Sequence, residues 1–366
     1  MKHPIKLVAS LCLSGAVISP VQAEGFNFYA LLDGGIANTR VSGGSTPVSG
    51  KTEFVTGGYA PTFAGVTAEK SLGSGYSGGF KLEQGFLLNP GSSNPWFFSD
   101  TSGLFNRQAH LYIKSNAGTL TVGTQGNAFF SSLLAVEPRS GSNFGSSLGT
   151  IAGDGQSYKG TVDKGAISYA SPSFSGVGFQ LEVVPANVDT TVKGGNRFSL
   201  KYTGQTLTAT AATYSTDIAT TYKDASKTSV DVPEHTRTGS LAGIAYQLNS
   251  LTLKGMWVKQ ATHDFKALQT SGVGGVYQIT PAVAVDLGVY ESKDSDAGYK
   301  TSTWGTGVQY KFLKDLTVYG QYTSVKNKGT VDAAYNFAPP MAVDTGKLGA
   351  AQTGTTLNVG LLYGFF

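Results

Sequence analysis

Residues 25–37 are Gly25-Phe-Asn-Phe-Tyr-Ala-Leu-Leu-Asp-Gly-Gly-Ile-Ala37. Taken alternately, Phe26, Phe28, Ala30, Leu32, Gly34 and Ile36 fall on one side, and Asn27, Tyr29, Leu31, Asp33, Gly35 and Ala37 on the other. Successive side chains of a strand point to opposite faces, so this stretch has one wholly apolar face and one mixed face. A strand of a soluble sandwich can look the same, and a single strand decides nothing.

Repetition decides more. Phe80, Leu82 and Phe86 alternate with Lys81, Glu83 and Gly85, and Ala109, Leu111 and Ile113 with Gln108, His110, Tyr112 and Lys114. Phe198, Leu200 and Tyr202 alternate with Arg197, Ser199 and Lys201, and Leu357, Val359, Leu361, Tyr363 and Phe365 with Asn358, Gly360, Leu362 and Gly364. The same period covers 177–183, 283–290 and 304–312. Segments of about 9–12 residues suit a tilted strand crossing a bilayer.

The connections alternate too. Short ones with turn residues fall at 74–79, 116–118, 171–176, 203–205, 249–250, 280–281 and 314–315. Long ones lie between them, at 38–53, 89–104, 126–160, 185–196, 217–238, 261–270, 292–301 and 325–354. Short turns on one rim and long loops on the other mark an outer-membrane barrel. The expected fold is all-β, a closed antiparallel barrel of sixteen strands, an even number as closure requires. The chain's last residues, Tyr363-Gly-Phe-Phe366, put aromatic rings at the lipid interface.

The start of the chain agrees with export. Lys2 and Lys6 precede an apolar run from Leu7 to Val21 that ends in Val21-Gln22-Ala23. This is a secretory signal peptide over 1–23, cut before Glu24, and it is too short for a spanning helix. The single cysteine, Cys12, lies inside it, so disulfide and thiol chemistry drop out of the mature chain. Removing Lys2 and Lys6 leaves 25 basic residues against 23 acidic. That balance makes nucleic acid an unsuited partner. With 49 glycines, 20 phenylalanines, 18 tyrosines and 14% charged residues, composition favours strands and turns over helices.

Several stretches together resemble general porins of the beta-proteobacterial type, in the Gram-negative porin family. Residues 25–36 resemble that family's first strand, "TLYGxLDxG". Glu69 to Phe86 resembles "EDLGGGLKAxFQLExGF" with one extra residue in the turn. Residues 104–109 and 118–125 resemble "LFxRQA…GxxxLGRQ", 167–176 resemble "xxYxSPxFxG", and 360–365 resemble the closing "GLRHRF". The resemblance implies three barrels per assembly and a third long loop, here 126–160, folded into each pore as a constriction. It implies a bacterial outer-membrane location, with lipid around the barrel and small hydrophilic solutes and ions inside it. It brings no cofactor or metal. The departures concern charge. Thr124 stands where the family has arginine in "GRQ", Val66 stands near another arginine position, and Leu362 and Gly364 replace two basic residues. Only Arg40, Arg107, Arg139, Arg197 and Arg237 remain, and Phe366 follows the expected last residue. The fold carries over; the usual anion preference does not.

A passive pore has no catalytic group, and its selectivity comes from size and from charge at its narrowest point. The loop offers Glu137, Arg139, Asp154 and Lys159 for the constriction. Strand parity puts Lys81, Glu83, His110, Lys114, Arg197 and Lys201 on the lumen side. Arg107 shares a parity with Ala109 and Leu111, which places it near the rim or past an irregularity. Acid on the loop facing bases on the wall would set up a transverse field, in a pore poorly selective or mildly anion-preferring. Two other readings stand beside this one: a substrate-specific channel with Tyr112 and Tyr290 in a binding track, and a structural or adhesive barrel with a closed lumen. An enzyme finds no support. The GxGxxG match at 73–78 is followed by a strand, not the helix that would hold a pyrophosphate. The GxSxG matches at 75–79 and 145–149 lack the strand–turn–helix of a nucleophile elbow. His110, His235 and His263 are too scattered for a zinc signature.

Overall fold

The computed structural model describes residues 25–44, 47–89, 104–151, 161–186, 192–223, 229–261, 267–330 and 348–366. The expected signal peptide lies outside them. All described strands form one antiparallel sheet: β1 (Asn27–Ser42), β2 (Val48–Thr56), β3 (Phe63–Gly73), β4 (Tyr76–Gly85), β5 (Gln108–Ser115), β6 (Gly118–Gly126), β7 (Val162–Ala170), β8 (Val177–Val184), β9 (Val192–Thr203), β10 (Leu207–Lys223), β11 (Ser229–Leu248), β12 (Leu251–Ala261), β13 (Leu268–Thr280), β14 (Val283–Asp294), β15 (Tyr299–Leu313), β16 (Leu316–Asn327) and β17 (Thr353–Phe365). β1 pairs with β17 from Ala30↔Phe365 to Ser42↔Thr353, so the sheet closes and has no edge. β2 and β3 lie end to end along the same side of β1. Seventeen segments therefore fill the sixteen positions of a closed barrel.

The seven short turns fall where the glycine, proline and asparagine clusters put them, from Gly73–Tyr76 to Leu313–Leu316. Several of the long connections are shorter than their polar composition suggests. β1 runs to Ser42 and β2 starts at Val48, inside the expected 38–53 loop. β10 and β11 reach Lys223 and Ser229, inside the expected 217–238 loop. Apolar alternation stops where the strands leave the membrane. Threonine and valine, well suited to a pleated surface, let the ladder continue beyond it.

Parity holds around the barrel. Outward residues such as Leu111 (66% exposed), Val273 (64%), Leu287 (50%) and Val359 (52%) make an apolar belt. Inward residues such as Asp33, Ala37, Thr39 and Asn358 are fully buried. So broad an exposed apolar surface needs a covering, and hydrocarbon supplies it. Among the described residues no helix is long and apolar enough to cross a membrane. The strands make the crossing, because a closed ladder satisfies every backbone group internally.

The outer belt generates a test. Leu287→Arg puts a charge on the lipid face and is expected to cost about 2–4 kcal/mol if it lies near the midplane. Urea unfolding of the barrel in lipid vesicles measures it, and an unchanged midpoint would show that this face meets no hydrocarbon.

Candidate functional site

The long connection after β6 folds into the barrel, and its residue types explain how. Asn127 caps a helix, α1 (Ala128–Val136): its side chain accepts from the Phe130 amide at 2.8 Å. The segment Ala-Phe-Phe-Ser-Ser-Leu-Leu-Ala-Val is apolar nearly all round, so the helix needs cover on most sides. It finds cover on the inner wall. Phe129, Phe130, Leu133, Leu134 and Val136 pack with Ala212, Tyr214, Leu241, Met256 and Val258 of β10–β12. The Phe129 ring meets Tyr214 edge-on at 4.8 Å between centroids. The Glu182 carboxylate of β8 accepts the Ala128 amide at 3.3 Å, an acid at a helix N-terminus where the dipole favours it. A short second helix, α2 (Leu148–Ile151), follows.

Between the helices lies the tip, and both tip charges of the sequence reading are there. Neither is exposed. Glu137 accepts the Tyr290 hydroxyl (2.6 Å), the Gly141 amide (2.7 Å) and the amide and hydroxyl of Ser147 (3.3 Å each). The Arg139 Nε donates to Asp286 on β14 at 2.5 Å, and Nη2 donates to Gln321 on β16 at 3.1 Å. Its Nη1 donates to the Phe144 carbonyl and, at 3.3 Å, to Gly145. Burial works against the charged guanidinium, but the adjacent Asp286 carboxylate, together with Tyr290 and Tyr59, outweighs it and holds Arg139 charged above its usual range. The Arg139 and Asp286 side chains have no exposed surface. The tip is thus an ion-paired latch onto the wall. The transverse field expected from an exposed Glu137 is not built from that residue, because its carboxylate is used in folding the tip. From 128 to 151 only Ser131, Ala135 and Ser140 keep solvent contact, a small and uncharged surface. Asp154 and Lys159 lie outside the described residues.

The wall candidates divide by residue type. Arg107 precedes the first residue of β5 and follows Phe105, whose φ is +57°, so strand parity does not govern it. It turns inward to Glu83 (2.5 Å) and lies over the Phe63 ring at 4.3 Å. Glu83 also accepts from Tyr29 (2.9 Å) and pairs with Lys81 (3.3 Å). Arg197 pairs with Asp163 of β7 at 2.8 Å. The three inward arginines of these pairs and their carboxylates are all nearly or wholly buried. The lysines differ. Lys81 and Lys201 keep partial exposure and Lys114 is exposed, while His110 is half-buried beside the Thr124 carbonyl at 3.2 Å. Tyr112 donates to Glu69 at 2.9 Å. Tyr290 is 3% exposed, which leaves no ring face for a passing solute.

Residues outside the sequence list also matter. Asp286 and Gln321 receive the latch, and Lys254, partly exposed on β12, donates to Ser140 at 2.9 Å. Lys311 is exposed on the inward parity of β15. The parity rule that selected Lys81 selects all four, between Val285 and Leu287, between Tyr322 and Gly320, beside Leu253, and between Tyr310 and Phe312. Asn127 ahead of an apolar run was the available signal for α1.

A closed barrel with an apolar belt, a polar interior and one of its own loops folded across that interior defines a channel of an outer membrane. The chain belongs to the Gram-negative porin family, whose sequence model matches residues 8–330. It is a non-enzymatic pore of the Gram-negative outer membrane. The fold is similar to the anion-selective porin from Comamonas acidovorans, at 18% identity and TM-score 0.77 over 93% of this chain and 99% of that one. It is also similar to OmpT of Vibrio cholerae in its trimer form (15% identity, TM-score 0.65, 94% and 100% covered). A third similar structure is Salmonella typhi OmpF in complex with daunomycin (15%, TM-score 0.63, 93% and 97%). No curated protein sequence matches the chain.

The latch makes a prediction. Asp286→Asn leaves the buried Arg139 charge uncompensated and is expected to cost about 3–5 kcal/mol, while a joint replacement by Met at 139 and Leu at 286 recovers part of that. The temperature at which the folded barrel loses its compact mobility on a detergent gel reads both, and equal stability of all three proteins would show that the pair carries no load.

Proposed function

We propose that this chain is a general diffusion porin with a mild preference for anions. It works as a homotrimer, with residues 1–23 removed on export and loop 126–160 narrowing each pore. The observation that carries the anion preference is the division of inward charge. Among the described residues, Asp33, Glu83, Glu137, Asp163, Glu182 and Asp286 are buried against donors or basic partners. Lys51, Lys81, Lys114, Lys201, Lys254 and Lys311 keep solvent contact on the inward parity, against Glu53 and Glu69. The water-filled part of the lumen therefore carries more accessible positive than negative charge.

Magnitude limits the preference. In water two unit charges 4 Å apart interact by about 1 kcal/mol, and about 0.1 M salt screens them beyond roughly 10 Å. A few solvated lysines bias a pore; they do not close it to cations. In this reading Lys81, His110, Lys114 and Lys201 line the path. Glu83 with Arg107, and Arg197 with Asp163, shape its wall. Glu137 and Arg139 fix the loop, and Asp154 and Lys159 are its remaining candidate charges at the constriction. The trimer form of the similar Vibrio protein supports three barrels per assembly. No observation favours a solute-specific track or a closed lumen.

The experiment is single-channel recording of the refolded protein in a planar bilayer under a potassium chloride gradient. Current steps grouped in threes and a reversal potential on the anion side are expected. The bias should weaken as salt rises, and the double variant Lys201→Glu, Lys254→Glu should move the reversal potential toward cations. A strong cation preference of the unaltered protein would overturn the reading.

A further inference from the structure

Among the described residues, the second position of the barrel is the one place where the chain leaves the sheet within a strand position. Gly34 faces Thr56 and Leu31 faces Phe63, so Leu32 and Asp33 stand opposite the six residues 57–62. A β-bulge adds one residue; this insertion is larger and goes inward. Residues 55–63 are all buried, with none of the alternation of a wall strand. Gly57, at φ +72°, lets the chain turn off the ladder. At Gly58 a side chain would stand 2.5 Å from Asn358 Oδ1 and 2.6 Å from the Tyr319 hydroxyl.

The fold is held from below by a buried carboxylate. Asp33 Oδ2 accepts the amides of Tyr59 (2.7 Å) and Ala60 (2.6 Å), and Oδ1 accepts the Tyr319 hydroxyl (2.6 Å). From above it meets the loop. Asn143 Nδ2 donates to the Gly57 carbonyl at 2.6 Å, and the Asn143 amide donates to the Tyr59 carbonyl at 3.1 Å. Gln321 joins the two: its Nε2 donates to the Gly58 carbonyl (2.7 Å) while its Oε1 accepts Ser142 (2.7 Å) and Arg139 (3.1 Å). Hydrogen bonds to a buried carboxylate are strong, and a backbone excursion with its carbonyls turned into the lumen is costly unless they find donors. Here Asn143 of the loop tip supplies two donors and Gln321 of β16 the third.

We propose that the inward fold 57–62 is the seat of the constriction loop, and that Asp33 and Asn143 are positioning residues that set the cross-section of the pore. The loop tip is held by contacts to β12, β14 and β16, the Arg139–Asp286 latch among them, and by this seat on the second strand. Without the seat the tip loses its hold on the second strand, and the pore widens on that side. The inference rests on the open-pore reading above and adds to it the element that sizes the pore.

The test combines single-channel conductance with the entry rates of sugars of graded size into protein-loaded liposomes. Asn143→Ala removes one side-chain bond to the seat and leaves every barrel ladder intact. Asp33→Asn removes the charge that holds the seat from below. Both variants are expected to show larger unit conductance, noisier open current and a cut-off shifted to larger sugars. The double variant should add little to Asp33→Asn, because both act through one contact. Heat-modifiable mobility on detergent gels reports folding, and if Asp33→Asn does not fold, Asn143→Ala decides alone. Folded variants with the conductance and cut-off of the unaltered protein would overturn the seat while leaving the pore reading intact. A silent unaltered protein would overturn both.

Discussion

A bilayer interior offers no hydrogen-bond partner, and that constraint shapes everything else in the molecule. A strand can cross only if both of its edges are paired, so the sheet must close, as β1 does on β17. Closure turns one face of every strand toward lipid and the other toward a shared interior. The two-residue period of the sequence is the direct imprint of that division. The outer face is chosen by solubility in hydrocarbon, whereas the inner face must either meet water or be packed with the chain's own atoms.

This chain does both, and its basic residues divide accordingly. The inward arginines 107, 139 and 197 each hold a carboxylate in a buried pair. A planar guanidinium with five donors suits that task, because it can satisfy a carboxylate and several carbonyls at once, as Arg139 does. The lysines end in a compact, strongly hydrated charge and keep contact with water. Buried pairs are no free source of stability, since desolvation offsets much of their attraction. Their value lies in position: Arg139 ties the loop tip to β14 and β16, while α1 packs on β10–β12. The arginines of these three pairs are therefore part of the framework, whereas the lysines keep contact with water.

What the sequence discloses follows from the same constraint. Lipid acts on every outward residue independently, so Phe26 through Ile36 or Leu357 through Phe365 can be assigned to the outer face from the string alone. Turn chemistry is equally local, which is why all seven short turns were legible. The partners of lumen charges are not local. Arg139 and Asp286 are 147 positions apart, and their meeting depends on the register of the barrel and the course of the loop. Parity puts Glu83 and Asp286 inside; it cannot say that both are already engaged. The interior helix was legible in principle from Asn127 and the apolar run after it. It was obscured because a long connection between strands is ordinarily irregular.

The inward fold at 57–62 marks the boundary between these two kinds of information. Some twenty residues separate the end of the first hairpin from the turn at Ser74, too many for one crossing of about 9–11 residues. Pro61, which cannot donate to a ladder, interrupts them, beside Gly57 and Gly58. The surplus was readable, and its direction was not. Outward, the extra backbone would face hydrocarbon with its polar groups unpaired. Inward, it meets Asp33 beneath and Asn143 above, which take the Tyr59 and Ala60 amides and the Gly57 and Tyr59 carbonyls. The rule that forces the barrel to close thus also forces the excess length of the second strand into the lumen, where it meets the loop that narrows the pore.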